Sequence, residues 1–153
     1  MNKPLILKIA DWIFDVDVKR TAAYSDREAA GHCNCDHCRN FYLGVDAICP
    51  ELRCLLGQFG IHPEAPDRML PIGYSAQQID YDPMYYVFGR IIRYGNSTLS
   101  AGDVEIIPAS CDALFEEGTV FSLSVAGLSL PWILDAPFDS SIFQQNEEMD
   151  LPQ

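Results

Sequence analysis

No lysine or arginine follows Arg93. Residues 94–153 carry ten acids and no base, whereas residues 1–93 carry twelve acids and ten bases, and the whole chain has a net charge of −12. A surface of that sign repels phosphate backbones, which excludes nucleic acid as a partner. An anionic membrane surface is repelled for the same reason. The plain consequence of the charge is solubility. The partner such a field would attract is a basic protein, steered to the acidic half.

Long apolar runs are also missing. No stretch approaches the ~20 residues of a membrane helix. The run Leu5-Ile6-Leu7, between Lys3 and Lys8, is shorter than the ~7–15 apolar residues at the core of a secretion signal, and the charged segment 11–20 follows it closely. The start of the chain reads as a strand, and the expected location is the bacterial cytoplasm. Catalytic signatures are missing as well. There is no G-x-S-x-G elbow, no Walker loop and no G-x-G-x-x-G after a strand. Asp80-Tyr81-Asp82 has nothing of an EF-hand loop around it. No nucleophilic triad can be assembled, so an enzyme is less expected than a binding protein.

The 153 residues suit one domain. The expected unit spans residues 1–143, with a frayed acidic tail over 144–153. Trp12, Phe14, Val16 and Val18 alternate along one face of a strand, and 19–30 suits a short helix. Cys38, Phe41, Tyr42 and Val45 recur at helical spacing, with Asn34 or Asp36 as the capping residue. Pro50 restarts the helix, Leu52, Leu55, Leu56 and Phe59 continue its apolar stripe, and Gly60 ends it. A loop follows over 61–70. Strand signals then appear at 85–94, at 103–107 with a stop at Pro108, and at 119–126, where Phe121, Leu123 and Val125 oppose Ser122 and Ser124. Residues 128–134 read as the return of a hairpin or as a continuation past a bulge at Gly127. Helices grouped before a run of strands define the α+β class: a mostly antiparallel sheet with an N-terminal strand and two to three helices packed on one face.

Six cysteines occur: Cys33, Cys35, Cys38, Cys49, Cys54 and Cys111. With no secretion signal in view, a disulfide framework is not expected. Three of them, with His32 and His37, fall in seven residues, 32–38. Three readings stay open for this cluster. Thiolate and imidazole are the donors zinc prefers, and Cys35-Asp36-His37-Cys38 has the gap of a zinc knuckle. The candidate ligands are Cys33, Cys35, Cys38 and His37, with His32, His62 or Cys54 as other sources of a fourth donor. The second reading is thiol-redox chemistry or a metal-dependent enzyme, because a helix N-terminus and a protonated His37 would favour a thiolate at Cys35. The third is plain burial, since free cysteine packs like a small apolar side chain. Cys49, Cys54 and Cys111 read best that way. Iron–sulfur spacing is not matched.

The run Cys33-Asn34-Cys35-Asp36-His37-Cys38-Arg39-Asn40-Phe41-Tyr42, with Phe14 to Asp17, Thr21, Pro50-Glu51-Leu52, Phe59-Gly60-Ile61 and Leu130-Pro131-Trp132, resembles a family of small uncharacterised bacterial proteins sharing a Cys-x-Cys-x-x-Cys-Arg-Asn-aromatic motif. The resemblance implies a self-contained folding unit and brings no activity with it. Beside the motif, Arg39 is expected to pair with Asp15 or Asp17, or to meet an anionic ligand. The aromatics Tyr81, Tyr85, Tyr86, Phe88 and Tyr94 form either a packed sheet or an exposed contact strip. The composite expectation is a cytosolic binding protein with a structural zinc site in the cluster.

Overall fold

The structure is a computed structural model that describes residues 5–30, 33–75, 77–115 and 118–138, with side chains at 30, 46, 48 and 112–115 left aside. The expected tail, 144–153, and His32 lie outside the described residues.

Two strands open the chain, β1 (Leu5–Ile9) and β2 (Trp12–Val16), paired antiparallel across the two-residue turn Ala10-Asp11. The alternation of β2 puts Phe14 and Val16 in the core, while Val18 already opens a helix. That helix, α1 (Val18–Ala30), is capped by Asp17, whose Oδ1 accepts the Arg20 N–H at 3.1 Å. Next come α2 (Asp36–Ile48) and α3 (Pro50–Gln58). Pro50 takes the first helical turn of α3, where its missing N–H costs no bond. Gly60 follows α3 at φ +93°, and a Cβ there would stand 2.6 Å from the Val18 carbonyl oxygen. The bend and the stop fall where the sequence places them.

The remaining strands are β3 (Pro71–Ser75), β4 (Gln78–Tyr81), β5 (Met84–Arg93), β6 (Leu99–Ala101), β7 (Val104–Phe115), β8 (Gly118–Ala126) and β9 (Leu128–Pro131). They form two antiparallel sheets instead of one: a six-stranded sheet in the order β1-β2-β5-β8-β7-β6 and a three-stranded sheet β3-β4-β9. The class is α+β as expected. The division comes at Gly127, whose φ of +82° turns the chain leaving β8 toward β4. Residues 128–131 thus continue past Gly127 and do not fold back as a hairpin. The strand expected to stop at Pro108 instead runs to Phe115. β6 pairs only with Val104–Ile106, so beyond Ile106 β7 is a sheet edge, and an edge tolerates a residue without an N–H.

One core joins these layers. Tyr85, Val87, Phe121, Leu123, Val125 and Ile106 from the large sheet are buried with Leu52, Leu56 and Phe59 of α3. Phe14 stacks on Phe121 at 5.5 Å between ring centroids and meets Phe59 edge-on at 5.2 Å. The small sheet holds α2, where Phe41 packs edge-on to Tyr81 at 5.3 Å. Packing, and no exposed strip, accounts for most of the 81–94 aromatics: Tyr81, Tyr85 and Phe88 are buried, Tyr86 is half-buried and Tyr94 is exposed.

β2 ends opposite Gly89, which leaves the first half of β5 without a strand neighbour on that side. Side chains take the strand's place. Thr21 Oγ1 on α1 accepts the Phe88 N–H at 3.0 Å, and Asp67 Oδ2 accepts the Tyr86 N–H at 2.7 Å. The Tyr86 and Phe88 N–H groups that a missing strand would orphan are thereby satisfied.

Candidate metal centre

The cysteine cluster lies where the chain enters α2. Cys35 is the N-cap residue, with φ −67° and ψ 159°, and makes no side-chain capping bond. This corrects the expectation that Asn34 or Asp36 caps the helix. Asp36 belongs to the first turn, where its charge suits the helix dipole. Cys33 precedes the helix, and Cys38 sits inside its first turn. The three sulfurs therefore come from the last loop residues and the first helical turn, and all three Sγ atoms lie within 4.8 Å of one another. Cys33 and Cys35 are exposed and Cys38 is half-buried.

The thiols differ electrostatically. The Cys35 N–H donates to Cys33 Sγ at 3.5 Å, and this bond holds the Cys33 thiol below its usual range. Burial pushes the Cys38 thiol up to about 12, reinforced by Cys35 and Cys33 beside it. For Cys38 that direction is the reverse of what a reactive thiolate needs. Two tyrosines border the cluster. Burial raises Tyr42, which also faces Cys38 and Cys33. Burial likewise pushes Tyr81 up to about 12. Tyr42 was missed as a neighbour of the site, although its position four residues after Cys38 on one helix face is the signal that finds it.

The platform under the cluster is firmly tied. Asn40 is fully buried on α2. Its Nδ2 donates to the Pro131 carbonyl at 3.1 Å and to Tyr81 Oη at 3.3 Å, and its Oδ1 accepts the Ile133 N–H at 2.8 Å. Tyr81 Oη in turn donates to the His37 carbonyl at 2.9 Å. α2 is thus bonded to β4, to β9 and to the segment after β9.

The other candidate ligands lie elsewhere. The His37 ring packs against Trp132 at 5.9 Å and Phe138 at 6.4 Å, so it shares the helix turn but not the group of three sulfurs. His62 Nε2 meets Asp26 Oδ1 at 2.7 Å, and its backbone N–H donates to Ser25. Cys49 is buried with its thiol directed at the Ala101 carbonyl, 3.7 Å away. Cys111 is half-buried, and Cys54 is exposed on α3, which corrects the expectation that it packs in the core. Arg39 pairs within its own helix, with Asp36 at 3.3 Å. The acids expected for it are engaged otherwise, Asp15 with Arg90 and Asp17 with Arg20. The reason is reach: Asp36 stands one helical turn away from Arg39 on the same face.

Clefts occur between α3 and β6, where about 460 Å³ is lined by Pro50, Glu51, Cys54 and Leu55, and beside Asp103 and Gly127. None of the three clustered thiols lines them. Among the described residues no helix is long and apolar enough to cross a membrane. No family model, no curated protein and no solved structure matches the chain.

Proposed function

We propose that this protein is a cytoplasmic metal-binding protein that holds zinc on Cys33, Cys35 and Cys38 and docks to a basic partner through its acidic half. The observation that carries the metal reading is the gathering of three Sγ atoms within 4.8 Å. A zinc–sulfur bond of about 2.3 Å in a tetrahedral set spaces its sulfurs by about 3.8 Å. Sulfurs within 4.8 Å of one another exceed that spacing by at most about 1 Å. Thiolates also select zinc over hard cations such as magnesium and calcium.

The test is the metal content of protein purified without chelator, beside a Cys35→Ser/Cys38→Ser variant. About one zinc per chain in the parent protein and none in the variant is the expected result. Folded, reduced parent protein without zinc would refute the reading.

The partner reading is supported by the absence of any base after Arg93, with Asp103 and Glu105 exposed in that half. Capture of a basic protein at low salt and its release at high salt is expected, because charge steering is screened beyond a Debye length of about 8 Å. Capture that does not change with salt would refute it.

Thiol-redox chemistry at the same residues is the second reading. The thiol that favours it is Cys33, held low by the Cys35 N–H.

A further inference from the structure

Sulfurs gathered to hold an ion are also gathered to bond with one another. The Sγ atoms of Cys33, Cys35 and Cys38 lie within 4.8 Å of one another. Cys35 is the N-cap of α2, and Cys38 is the third residue of that helix. A rise of about 1.5 Å per residue on a cylinder of about 2.3 Å radius sets Cα atoms three positions apart at about 5 Å. A disulfide closes without backbone movement when its Cα atoms are about 4.4–6.8 Å apart. Cys33 stands outside the helix, and its sulfur accepts the Cys35 N–H at 3.5 Å. The pair that helix geometry fits to a disulfide is therefore Cys35 and Cys38. Access follows the same order. Cys35 is exposed, and Cys38, one turn further along, is half-buried. The helix beneath them is tied by bonds that involve no sulfur: the three of Asn40, the Tyr81 bond to the His37 carbonyl, and Phe41 and Val45 in the core. A change at the sulfurs leaves these ties in place.

We infer that the cluster is a redox-gated metal site, in which a low-molecular-weight disulfide joins Cys35 to Cys38 and thereby releases the ion. This inference rests on the reading of Cys33, Cys35 and Cys38 as a metal site. A thiol that coordinates zinc is deprotonated, and the thiolate is the form that attacks a disulfide. The Cys35 thiolate attacks one sulfur of the small disulfide. That S–S bond breaks, a mixed disulfide forms on Cys35, and the first small thiolate leaves. The Cys38 thiolate then attacks the Cys35 sulfur, the mixed disulfide breaks, and the second small thiolate leaves. Cys35 and Cys38 give up one electron each, and the small disulfide takes up both. Two metal–sulfur bonds are lost, and the Cys33 sulfur alone remains to the ion, which passes to water. An excess of small thiol runs the same exchange backwards and restores the three-sulfur site. Holding the ion and holding the disulfide are thus mutually exclusive states of one helix turn, on a fold that is the same in both.

The experiment uses the full chain, reduced, anaerobic and loaded with zinc, to which glutathione disulfide is added. Freed zinc is read with a chromophoric chelator, and the sulfur bonds are mapped by mass spectrometry of alkylated peptides. The expected result is loss of the bound zinc together with a Cys35–Cys38 disulfide, an unchanged far-ultraviolet circular dichroism spectrum, and zinc rebinding after reduction with dithiothreitol. Zinc retained in the presence of glutathione disulfide would overturn the inference. So would zinc lost with only mixed disulfides on the cluster, or zinc that does not rebind after reduction. A chain that takes up no zinc when reduced would instead fail the underlying metal reading, and with it this inference. Two variants check the pair itself. Cys38→Ser is expected to stop at a mixed disulfide of Cys35 with glutathione, whereas Cys33→Ser is expected to form the Cys35–Cys38 bond as the parent protein does. A Cys33→Ser chain that does not form that bond would overturn the assignment of the pair.

Discussion

Replacing Asp67 by asparagine isolates the cost of using a carboxylate to cap the open edge of β5. Asp67 Oδ2 accepts the Tyr86 N–H at 2.7 Å, and its Oδ1 is buried without a hydrogen-bond partner. Burial lifts the carboxyl from 3.8 to about 6, against the Tyr86 N–H and the Tyr24 hydroxyl, which lower it. The folded state therefore holds this proton more tightly than the unfolded chain does. The contribution of the group to stability is lost as pH rises through the window between about 4 and 6, and the full penalty is present at neutral pH. The displacement corresponds to at most about 3 kcal/mol. Partial solvent access brings it nearer to about 2 kcal/mol. Asparagine keeps an oxygen for the Tyr86 N–H and cannot ionise, at the cost of an amide N–H₂ facing the unpaired position. Urea unfolding at several pH values from 4 to 7 measures the outcome. The variant is expected to match the parent protein or fall below it near pH 4 and to gain on it by about 1–2 kcal/mol by pH 7. A stability difference that stays constant across the range would refute the assignment of the penalty to Asp67.

Two further outcomes follow from the fold. Asn40→Ala removes the three hydrogen bonds of a buried side chain and leaves the Ile133 N–H and the Pro131 carbonyl without that partner. A loss of about 2–4 kcal/mol is expected in denaturant unfolding, and a loss under about 0.5 kcal/mol would show that α2 is held otherwise. Gly127→Ala has room, since the nearest atom to the new Cβ is the Asp103 carbonyl oxygen at 3.7 Å, but it forces alanine to φ +82°. The expected cost is about 1 kcal/mol, read as a lower melting temperature, and an unchanged temperature would refute it.

The local elements were legible because they obey periodicities that a short window contains. Trp12 to Val16 alternates, and its strand face follows directly from the pleat. Pro50 and Gly60 mark a helix start and stop through their own backbone chemistry. Phe121, Leu123 and Val125 fall on the core face for the same reason as β2. The closeness of Cys33, Cys35 and Cys38 was half legible. Their spacing put them near one another in the chain, while the start of α2 at Asp36, with Cys35 as cap, turned three neighbours into a group of sulfurs.

The composition and short-range pattern of the chain thus determined its class, its helices, most of its strands and the place of its cysteine cluster. Tertiary structure decided the rest, because the rest depends on which backbone groups find a neighbour. Pro108 lies inside β7 because β6 is too short to reach it, a fact about a partner strand and not about proline. Gly127 divides the sheets because β4 offers an edge for β9 to join. Arg39 takes Asp36 while Asp15 and Asp17 face other arginines. His37 turns to Trp132 and Phe138, residues nearly a hundred positions away, and only the packing of the segment after β9 on α2 brings them there.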